Sequence, residues 1–349
     1  MQQIKGTCCL VVGGAGFVGS NLVQELLQHE PRRIIIVDNL LSSERENVPT
    51  AGSVELIEAS INDDEVLASL PEDLHYAFHL ATYHGNQSSI ANPLADHEHN
   101  TLTSLKLFNR LKDLPELQKV VYASAGCTVA EKTFDDTQAT DESAPVSLYL
   151  DSPYQISKII GEFYGNYFFN RNGLPIVKAR FQNVYGPGEI LGAGQWRGTH
   201  HTVWRNVIPT FIYRGLKQMP LTVEAGGIAT RDFVYSRDMA RGLLCCALYA
   251  EAGEVYNLAS GEETAISDLA ELVNELTENP VPIEYMPARD WDRSGKRYAT
   301  TDKAREKLGF QCRVSLRDGL SDTVDWTRAN IDFIDQCIAK HEPHMAVQQ

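Results

Sequence analysis

A tyrosine and a lysine four residues apart carry the proton chemistry that this sequence supports best. The segment SPYQISKIIGEFYGNYF starts with Ser152, a suitable helix N-cap, and Pro153, a residue favoured at the first helical position. The spacing then puts Tyr154 and Lys158 on one face of the helix. A tyrosine pKa is ordinarily about 10, and a neighbouring cation can lower it by about 1 to 3. We therefore expect Tyr154 to act as a base near neutral pH, with Lys158 as its partner.

The same tyrosine and lysine spacing occurs a second time, at Tyr213 and Lys217. Position in the chain separates the two copies. The first lies between KVVYAS and LPIVKARF, which read as strands, so its helix packs beside the carboxyl ends of those strands, where open α/β sheets bind ligands. The second follows a glycine-rich segment, and we expect it on an ordinary surface helix. Tyr154 and Lys158 are therefore the predicted catalytic pair.

A glycine-rich turn between a strand and a helix predicts a dinucleotide site. In LVVGGAGFVGSNLVQELL, Gly13, Gly14, Gly16 and Gly19 follow an apolar strand and open a helix. Glycines there permit a tight turn, let a diphosphate approach the backbone, and leave the helix N-terminus pointing at it. Asp38 ends the next strand at the offset of roughly 20 residues where a carboxylate accepts hydrogen bonds from the adenosine ribose.

The residues around that aspartate indicate which dinucleotide binds. The carboxylate of Asp38 would repel the 2'-phosphate of NADP, and Asn39 follows it in place of a basic residue. Arg45, a few positions further along, is the one nearby feature that favours NADP. We expect NAD as the cofactor.

Strand-like and helix-like segments alternate along the first half of the chain. Short apolar runs such as RRIIIVD, HYAFHL and KVVYAS are separated by longer amphipathic stretches, a pattern typical of a doubly wound parallel sheet. Runs as continuously apolar as IIIV suit a sheet covered on both faces. We predict an α/β Rossmann fold with a smaller C-terminal α/β substrate domain. The predicted ranges are 1–180 for the dinucleotide-binding domain, with returning segments near 228–262, then 181–227 and 263–340 for the substrate domain, and 341–349 for a flexible tail.

Composition narrows the class of partner. A formal charge of −15 argues against nucleic acid as a ligand. The first residues hold only a short apolar run, too short for a signal segment or a membrane span, so we expect a cytoplasmic protein with no membrane partner. The seven cysteines show no C-x-x-C spacing, and no cysteine or carboxylate set completes a metal site around the paired histidines. We therefore expect no bound metal.

Together these motifs resemble the extended short-chain dehydrogenase/reductase family of NAD-dependent nucleotide-sugar epimerases and dehydratases. The resemblance covers nearly the whole chain and rests on VVGGAGFVGSNL, VDNL, FHLAT, VYAS, SPYQISK, RFQNVYGPG, RDFVYSRDMARG, YNLASG and KAREKLGF. It implies a tightly bound, recycled NAD, a nucleoside-diphosphate sugar as substrate, and a role in polysaccharide biosynthesis. It also implies a homodimer that pairs through helices including 101–112 and 154–169.

The resemblance also assigns roles to individual residues. The implied cofactor contacts are Gly13, Gly16, Phe17, Val18, Gly19, Asp38, Asn39, Leu40, Ser42, Ser60, Ile61, Leu80, Ala81, Thr82 and Asn100, together with Tyr154 and Lys158. The implied substrate contacts are His84, Asn183, Arg197, Asn206, Val207, Leu221, Val223, Arg231 and Arg293. Arg231 and Arg293 resemble diphosphate clamps, because guanidinium groups meet phosphate oxygens with paired, charge-assisted hydrogen bonds, and Arg297 is an alternative to Arg293.

The end of the fifth strand departs from the family pattern. Ala125 stands where the family has a catalytic serine or threonine, and Ser124 is one residue early, where strand alternation points it to the other face. Gly126 and Cys127 stand where dehydratases of the family carry an acidic pair and decarboxylases a glutamate, so neither activity is favoured. YASAGC instead resembles the YASSAC segment of GDP-mannose 3,5-epimerase, in which the cysteine moves a proton. Ser124 and Cys127 are both candidate catalytic residues, although a cysteine can equally be a small buried residue.

The resemblance therefore implies a nucleotide-sugar epimerase that forms a transient 4-keto sugar and inverts C4. A C3/C5 epimerase is the first alternative, because a 4-ketone acidifies the neighbouring carbons and Cys127, with Arg197 or His84, could invert them. A second alternative is a nucleotide-sugar dehydratase or reductase that does not epimerise. A third is a nucleotide-binding scaffold that has lost catalysis.

Overall fold

A seven-stranded parallel sheet is the framework of the protein. The computed structural model describes residues 3–129, 134–288 and 295–346. The strands are β1 (Cys8–Val12), β2 (Arg33–Asp38), β3 (Val54–Glu58), β4 (Tyr76–His79), β5 (Lys119–Ala125), β6 (Ile176–Phe181), β7 (Asn183–Tyr185), β8 (Thr222–Glu224), β9 (Thr230–Arg231), β10 (Phe233–Tyr235), β11 (Val255–Leu258), β12 (Thr264–Ala265) and β13 (Glu284–Met286). The large sheet has the order β11-β6-β5-β4-β1-β2-β3. Two-stranded sheets join β7 to β10, β8 to β13 and β9 to β12.

Thirteen α-helices accompany these strands in the described ranges. They are α1 (Phe17–Leu27), α2 (Asp64–Ser69), α3 (Asn86–Ala91), α4 (Pro93–Asp96), α5 (Thr103–Leu111), α6 (Pro153–Asn172), α7 (Val207–Leu216), α8 (Ser236–Tyr249), α9 (Ile266–Thr277), α10 (Asp302–Leu308), α11 (Leu316–Ala329), α12 (Ile331–Ala339) and α13 (Glu342–Ala346). A π-helical turn, His97–Leu102, separates α4 from α5. No helix that the structure describes is both long enough and apolar enough to cross a bilayer.

Helices cover both faces of the large sheet. One face packs against α1 and α8, which bury Leu22 and Met239, and the other packs against α5 and α6, which bury Phe108 and Phe168. Every residue of β1 is buried, and alternate residues point to the two clusters. Burial on both faces explains why the strands are continuous apolar runs. The predicted doubly wound parallel sheet is confirmed.

The chain leaves the large sheet after β6 and returns to it with α8 and β11, and again with α10. The helices α7, α9 and α11 share a separate hydrophobic cluster with β8 and β10. Between them, α8 packs against α1, and β11 pairs with β6 so that Val255 lies opposite Lys178. The elements α8 and β11 fall inside the range 228–262, where the sequence predicts a return. Helix α10 lies in the range predicted for the substrate domain, but it buries Ala304 and Leu308 in the core of the large sheet.

The sequence predicts a flexible tail from residue 341, but residues 341–346 are packed against the rest of the protein. His341 is buried and its Nε2 lies 2.9 Å from the carbonyl oxygen of Gly192. His344, in α13, stacks on Trp196 at 5.3 Å between ring centroids. Contacts with the segment after β7 therefore order residues 341–346, and the sequence showed no sign of these long-range partners.

Candidate active site

The turn after β1 accepts only glycine at two positions. Gly13 has a φ of +85°, and a Cβ there would lie 2.5 Å from the backbone N of Ala81. A Cβ on Gly19 would overlap the carbonyl oxygen of Gly13 and lie 2.7 Å from Cα of Gly14. The bare backbone brings the N-terminus of α1 to the edge of a cavity. This is the arrangement that accommodates a dinucleotide diphosphate.

The cavity has a volume of about 420 Å³ and runs along the carboxyl ends of the central strands. Fifteen of the seventeen predicted cofactor contacts border it. The predicted cofactor residues that line it are Gly13, Gly16, Phe17, Val18, Gly19, Asp38, Asn39, Ser42, Ser60, Ile61, Leu80, Ala81, Thr82, Tyr154 and Lys158.

Asp38 is held at the end of β2 by hydrogen bonds from its own loop. Its carboxylate accepts from the backbone N of Ala15 at 3.0 Å, the backbone N of Leu40 at 2.9 Å and the hydroxyl of Ser43 at 3.0 Å. Burial raises the pKa of Asp38, and these hydrogen bonds oppose the rise because they favour the charged form. The carboxylate is thus fixed at the cavity wall, where it can accept from a ribose hydroxyl.

Two predicted cofactor contacts do not line the cavity. Leu40 instead donates its backbone N–H to the preceding aspartate. Asn100 lies in the π-helical turn, where its Nδ2 donates to Asp96 Oδ1 at 2.7 Å and its Oδ1 accepts from the Tyr83 backbone N at 2.6 Å and the Thr82 hydroxyl at 3.0 Å. Asn100 therefore braces the segment after β4.

The predicted catalytic pair lies on α6 as its spacing indicates. Ser152 caps the helix by accepting from the Gln155 backbone N, and Pro153 is its first residue. Lys158 Nζ donates to the carbonyl oxygen of Ala123 at 2.9 Å and lies 5.8 Å from the centre of the Tyr154 ring. Strand β5 therefore anchors the lysine while the tyrosine borders the cavity.

The electrostatics of this pair differ from the expectation. Burial raises the pKa of the Tyr154 phenol, so the protein alone does not hold a phenolate near neutral pH. Burial also lowers the pKa of Lys158 to about 8, because removal from water disfavours its charge. The predicted activation of the tyrosine by the lysine alone is thus outweighed by desolvation. A positively charged ligand group beside the phenol would shift the balance.

The second tyrosine and lysine pair is structural. Tyr213 donates to Asp335 Oδ1 at 2.7 Å, and Lys217 Nζ donates to Asp335 Oδ2 at 2.6 Å. Both side chains therefore join α7 to α12, and neither lines the cavity.

Ser124 borders the cavity but its hydroxyl is already engaged. It donates to Glu162 Oε1 at 2.5 Å, and Arg180 binds the same carboxylate through Nε and Nη2, each at 2.9 Å. The ion pair is almost fully buried. Ser124 therefore contributes to a buried network that connects β5, β6 and α6. Cys127, in the short turn after β5, also lines the cavity and is partly exposed.

The predicted substrate contacts divide into three groups. His84, Asn183, Asn206 and Val207 line the cavity, and so does Arg297, the alternative to Arg293. Arg293 itself lies outside the described residues.

Three further predicted substrate contacts, Leu221, Val223 and Arg231, do not line the cavity. Leu221 and Val223 have fully buried side chains in the cluster around α7 and α9, so their apolar character reflects core packing. Arg231 Nη1 donates to the carbonyl oxygens of Thr230 at 2.6 Å and Gly295 at 2.7 Å, and the side chain does not line the cavity.

The segment between β7 and α7 carries two buried arginines, of which Arg205 lines the cavity and Arg197, a predicted substrate contact, does not. Arg197 Nη1 donates to the Ser42 hydroxyl at 2.8 Å, and Arg205 Nη1 donates to the Ser42 carbonyl oxygen at 3.0 Å. Arg197 Nε and Nη2 and Arg205 Nε are buried without a hydrogen-bond partner among the described residues. Burial and the neighbouring Arg205 lower the pKa of Arg197 to about 9. Two cations so placed favour an anionic ligand group.

Sequence reasoning missed Arg205 and its neighbour Glu189, which both line the cavity. Burial raises the pKa of Glu189 to about 7, and its Oε1 accepts from the Asn206 side chain. The only signal in the sequence was the presence of charged residues in the otherwise apolar, glycine-rich segment GPGEILGAGQWRG and its continuation.

Comparison with known proteins identifies relatives of the whole chain. A model of the NAD dependent epimerase/dehydratase family matches residues 9–259. The UDP-glucose 4-epimerase of Mycolicibacterium smegmatis is 29% identical, over 91% of this chain and 98% of that protein.

Solved structures of two enzymes are similar to this protein over nearly the whole chain. The Bordetella bronchiseptica enzyme WbmF, in complex with NAD+ and UDP, is 54% identical, with a TM-score of 0.90 and 99% of each chain covered. The epimerase Mth375 of Methanothermobacter thermautotrophicus is 39% identical, with a TM-score of 0.87 and 95% of each chain covered.

Proposed function

This chain belongs to the NAD-dependent epimerase/dehydratase family, and on that premise we propose that it inverts C4 of a nucleotide sugar through a transient 4-keto sugar. It is an NAD-dependent enzyme of the nucleotide-sugar epimerase/dehydratase type. The observation that supports C4 chemistry is a single cavity bordered by the glycine turn, Asp38, Tyr154 and Lys158. Because WbmF binds UDP, we propose a UDP-sugar as the substrate.

The residues of the cavity fit NAD and a sugar hydroxyl. The glycine turn and Asp38 would hold the diphosphate and the adenosine ribose, and Lys158 the second ribose. Bound NAD+ supplies a hydride acceptor for C4, returns the hydride, and carries a positive charge. That charge lowers the pKa of Tyr154 and so opposes the effect of burial. Tyr154 then takes the proton of the C4 hydroxyl and later returns it, and a return of hydride to the other face inverts the carbon.

The substrate would be bound by residues that follow β6. We assign residues 181–227 and 263–340, apart from α10, to the substrate domain, because Asn183, Asn206 and Val207 border the cavity from that side. Arg197 and Arg205 add two buried positive charges there, which suit the phosphates of a nucleotide ligand.

Epimerisation at C3 or C5 is the second candidate function. Cys127 borders the same cavity as Tyr154 and is partly exposed, so a thiol is available beside the reacting sugar. A 4-ketone would acidify the neighbouring C–H bonds, and the thiolate could remove a proton from one of them.

Solvent deuterium separates the two routes. The enzyme is incubated in D₂O with a panel of UDP-sugars, and the products are analysed by NMR. C4 inversion returns the original hydride, so the product carries no deuterium on carbon, whereas the cysteine route places deuterium at C3 or C5. Tyr154→Phe should abolish turnover in both routes, and full activity in that variant would remove the tyrosine from the mechanism.

We also propose that the enzyme is a homodimer paired through α6. Ile156, Phe163 and Tyr167 form a stripe along that helix and are 44%, 55% and 57% exposed. Apolar side chains exposed in such a row mark an interaction surface. Sedimentation analysis should show a dimer that Phe163→Lys converts to a monomer, and a wild-type monomer at micromolar concentration would contradict the assignment.

A further inference from the structure

His84 lines the same cavity as Ala125, the residue that stands where the family has a hydroxyl side chain. Resting on the proposed epimerase function, we propose that the imidazole of His84 is a further catalytic group, which donates a hydrogen bond to the oxygen on the reacting sugar carbon. The oxygen is an alcohol before oxidation and a ketone afterwards, so one N–H donor can serve both states. No covalent bond to the histidine is formed, and the hydroxyl proton goes to Tyr154.

The hydroxyl groups near the end of β5 are already engaged. Ala125 has none, and the Ser124 hydroxyl donates to Glu162. Thr128, one turn further on, is buried and donates to the carbonyl oxygen of Ala125 at 2.7 Å. In the neighbouring segment after β4, the Thr82 hydroxyl donates to Asn100 at 3.0 Å. Strand β5 therefore offers no free hydroxyl to the sugar oxygen in the described part of the chain.

His84 reaches the cavity from the strand next to β5. It follows β4, the strand hydrogen-bonded to β5, and it lines the cavity. Its ring meets the ring of Tyr154 edge-on, with the centroids 6.1 Å apart and the planes at 69°. A sugar oxygen that reaches the phenolic end of Tyr154 therefore comes to the same wall of the cavity as this imidazole.

The surroundings of His84 keep its imidazole ring neutral. Burial lowers the pKa of His84 to about 3, and the nearby Arg197 and Arg205 add to the effect. Its Nδ1 is buried and has no hydrogen-bond partner among the described residues. A neutral imidazole has one N–H and one lone pair. If the hydrogen is on Nε2, the buried Nδ1 carries only a lone pair. The Nε2–H group is then the one that can donate a hydrogen bond to the ligand.

The size of the effect follows from the charge that develops. While hydride leaves C4, the oxygen loses its proton and gains negative character, and a preorganised donor stabilises that charge more strongly than it stabilises the bound substrate. Loss of one such donor lowers kcat by about 10²- to 10³-fold. His84→Phe keeps a ring against Tyr154 but removes the donor, whereas His84→Gln keeps an N–H donor.

The experiment compares four purified variants with the wild type for kcat and KM on the best UDP-sugar of the panel, and for the fraction of protein that carries NAD. His84→Phe should lose about 10²- to 10³-fold in kcat with bound NAD unchanged, and His84→Gln should recover at least tenfold of that loss. His29→Phe makes the same replacement at an exposed histidine just after α1 that does not line the cavity, and it should stay within about threefold of wild type. Tyr154→Phe tests the proposed function itself.

The outcomes separate the two proposals. If Tyr154→Phe is inactive while His84→Phe stays within about threefold of wild type, the epimerase mechanism stands and the role of His84 is refuted. A loss in His29→Phe as large as the loss in His84→Phe would also refute it, because the effect would then not depend on the position of the imidazole in the cavity. If Tyr154→Phe retains full activity, the proposed function fails first, and the role of His84 fails with it.

Discussion

Gly161 sets the distance between strand β5 and the helix that carries Tyr154 and Lys158. A Cβ at Gly161 would overlap Oη and Cζ of Tyr122 and lie 2.9 Å from its Cε1. The Tyr122 ring is buried, and its hydroxyl donates to the carbonyl oxygen of Lys158 at 3.2 Å. Gly161→Ala therefore cannot be absorbed by a flexible side chain, and α6 must move away from the sheet.

The displacement determines the expected loss of activity. Ordinary Cβ contacts begin at about 3.4 Å, so the helix must withdraw by about 1 Å. Misplacement of a catalytic group by about 1 Å can cost about 100-fold in rate, whereas overpacking of a core contact costs about 1–3 kcal/mol of stability. We expect Gly161→Ala to fold, to be destabilised by that amount, and to lose about 100-fold in kcat.

Gly165→Ala is the matched control, because it lies one turn further along the same helix. A Cβ there would lie 3.2 Å from Cδ1 of Ile176 and 3.7 Å from Cδ of Lys178, both near the ends of side chains that can adjust. Both substitutions gain the same helix propensity, about 1 kcal/mol. The assay is the rate of sugar interconversion, measured with urea unfolding and bound NAD. A kcat within about threefold of wild type for Gly161→Ala would refute the view that this contact positions the catalytic pair.

Three further predictions test other parts of the site. Glu162→Gln leaves Arg180 without its buried carboxylate, so urea unfolding should show a loss of about 3–5 kcal/mol, and a loss below 1 kcal/mol would contradict the role of the pair. Gly19→Ala should yield protein without bound NAD, because its Cβ overlaps the turn, whereas Gly52→Ala, with open space around it, should retain NAD. The pKa of Glu189 is about 7 in the folded protein and 4.5 in the unfolded chain. The free energy of unfolding should therefore be highest below pH 4.5 and should fall as the pH rises to about 7, because the folded state then has to bury a charged carboxylate. Glu189→Gln cannot ionise and should gain up to about 3 kcal/mol over wild type between pH 4.5 and pH 8, and parallel stability curves for the two proteins would refute the buried carboxyl.

The sequence predicts those parts of the site that depend on local geometry. Gly13 follows β1 and Asp38 ends β2, at positions that the geometry of a strand-turn-helix unit determines. Tyr154 and Lys158 share a helix whose N-cap and first residue are recognisable in the sequence. Each of these residues lines the cavity as expected. Where spacing along one element determines position, a single sequence suffices.

Roles that depend on distant partners could not be predicted in this way. The Ser124 hydroxyl is engaged because Glu162 and Arg180 reach it from another helix and strand, and Asn100 is engaged by the loop after β4. Leu221 shows the same limit for an apolar residue, because a core leucine and a ligand-contacting leucine have the same sequence signature. Only the packing of α7 and α9 decides between them.

One face of α6 carries both the catalytic pair and a residue that anchors the helix to the sheet. Tyr154, Lys158 and Glu162 follow at intervals of four, so they lie in a row, with the phenol at the cavity and the carboxylate in the buried network with Arg180. The position of the tyrosine is therefore set by contacts one and two turns away, and those contacts also stabilise the fold. It follows that a substitution along this row that weakens the anchoring of α6 should lower kcat before it unfolds the protein. Substitutions of equal cost in the cluster around α7 and α9 should lower stability first.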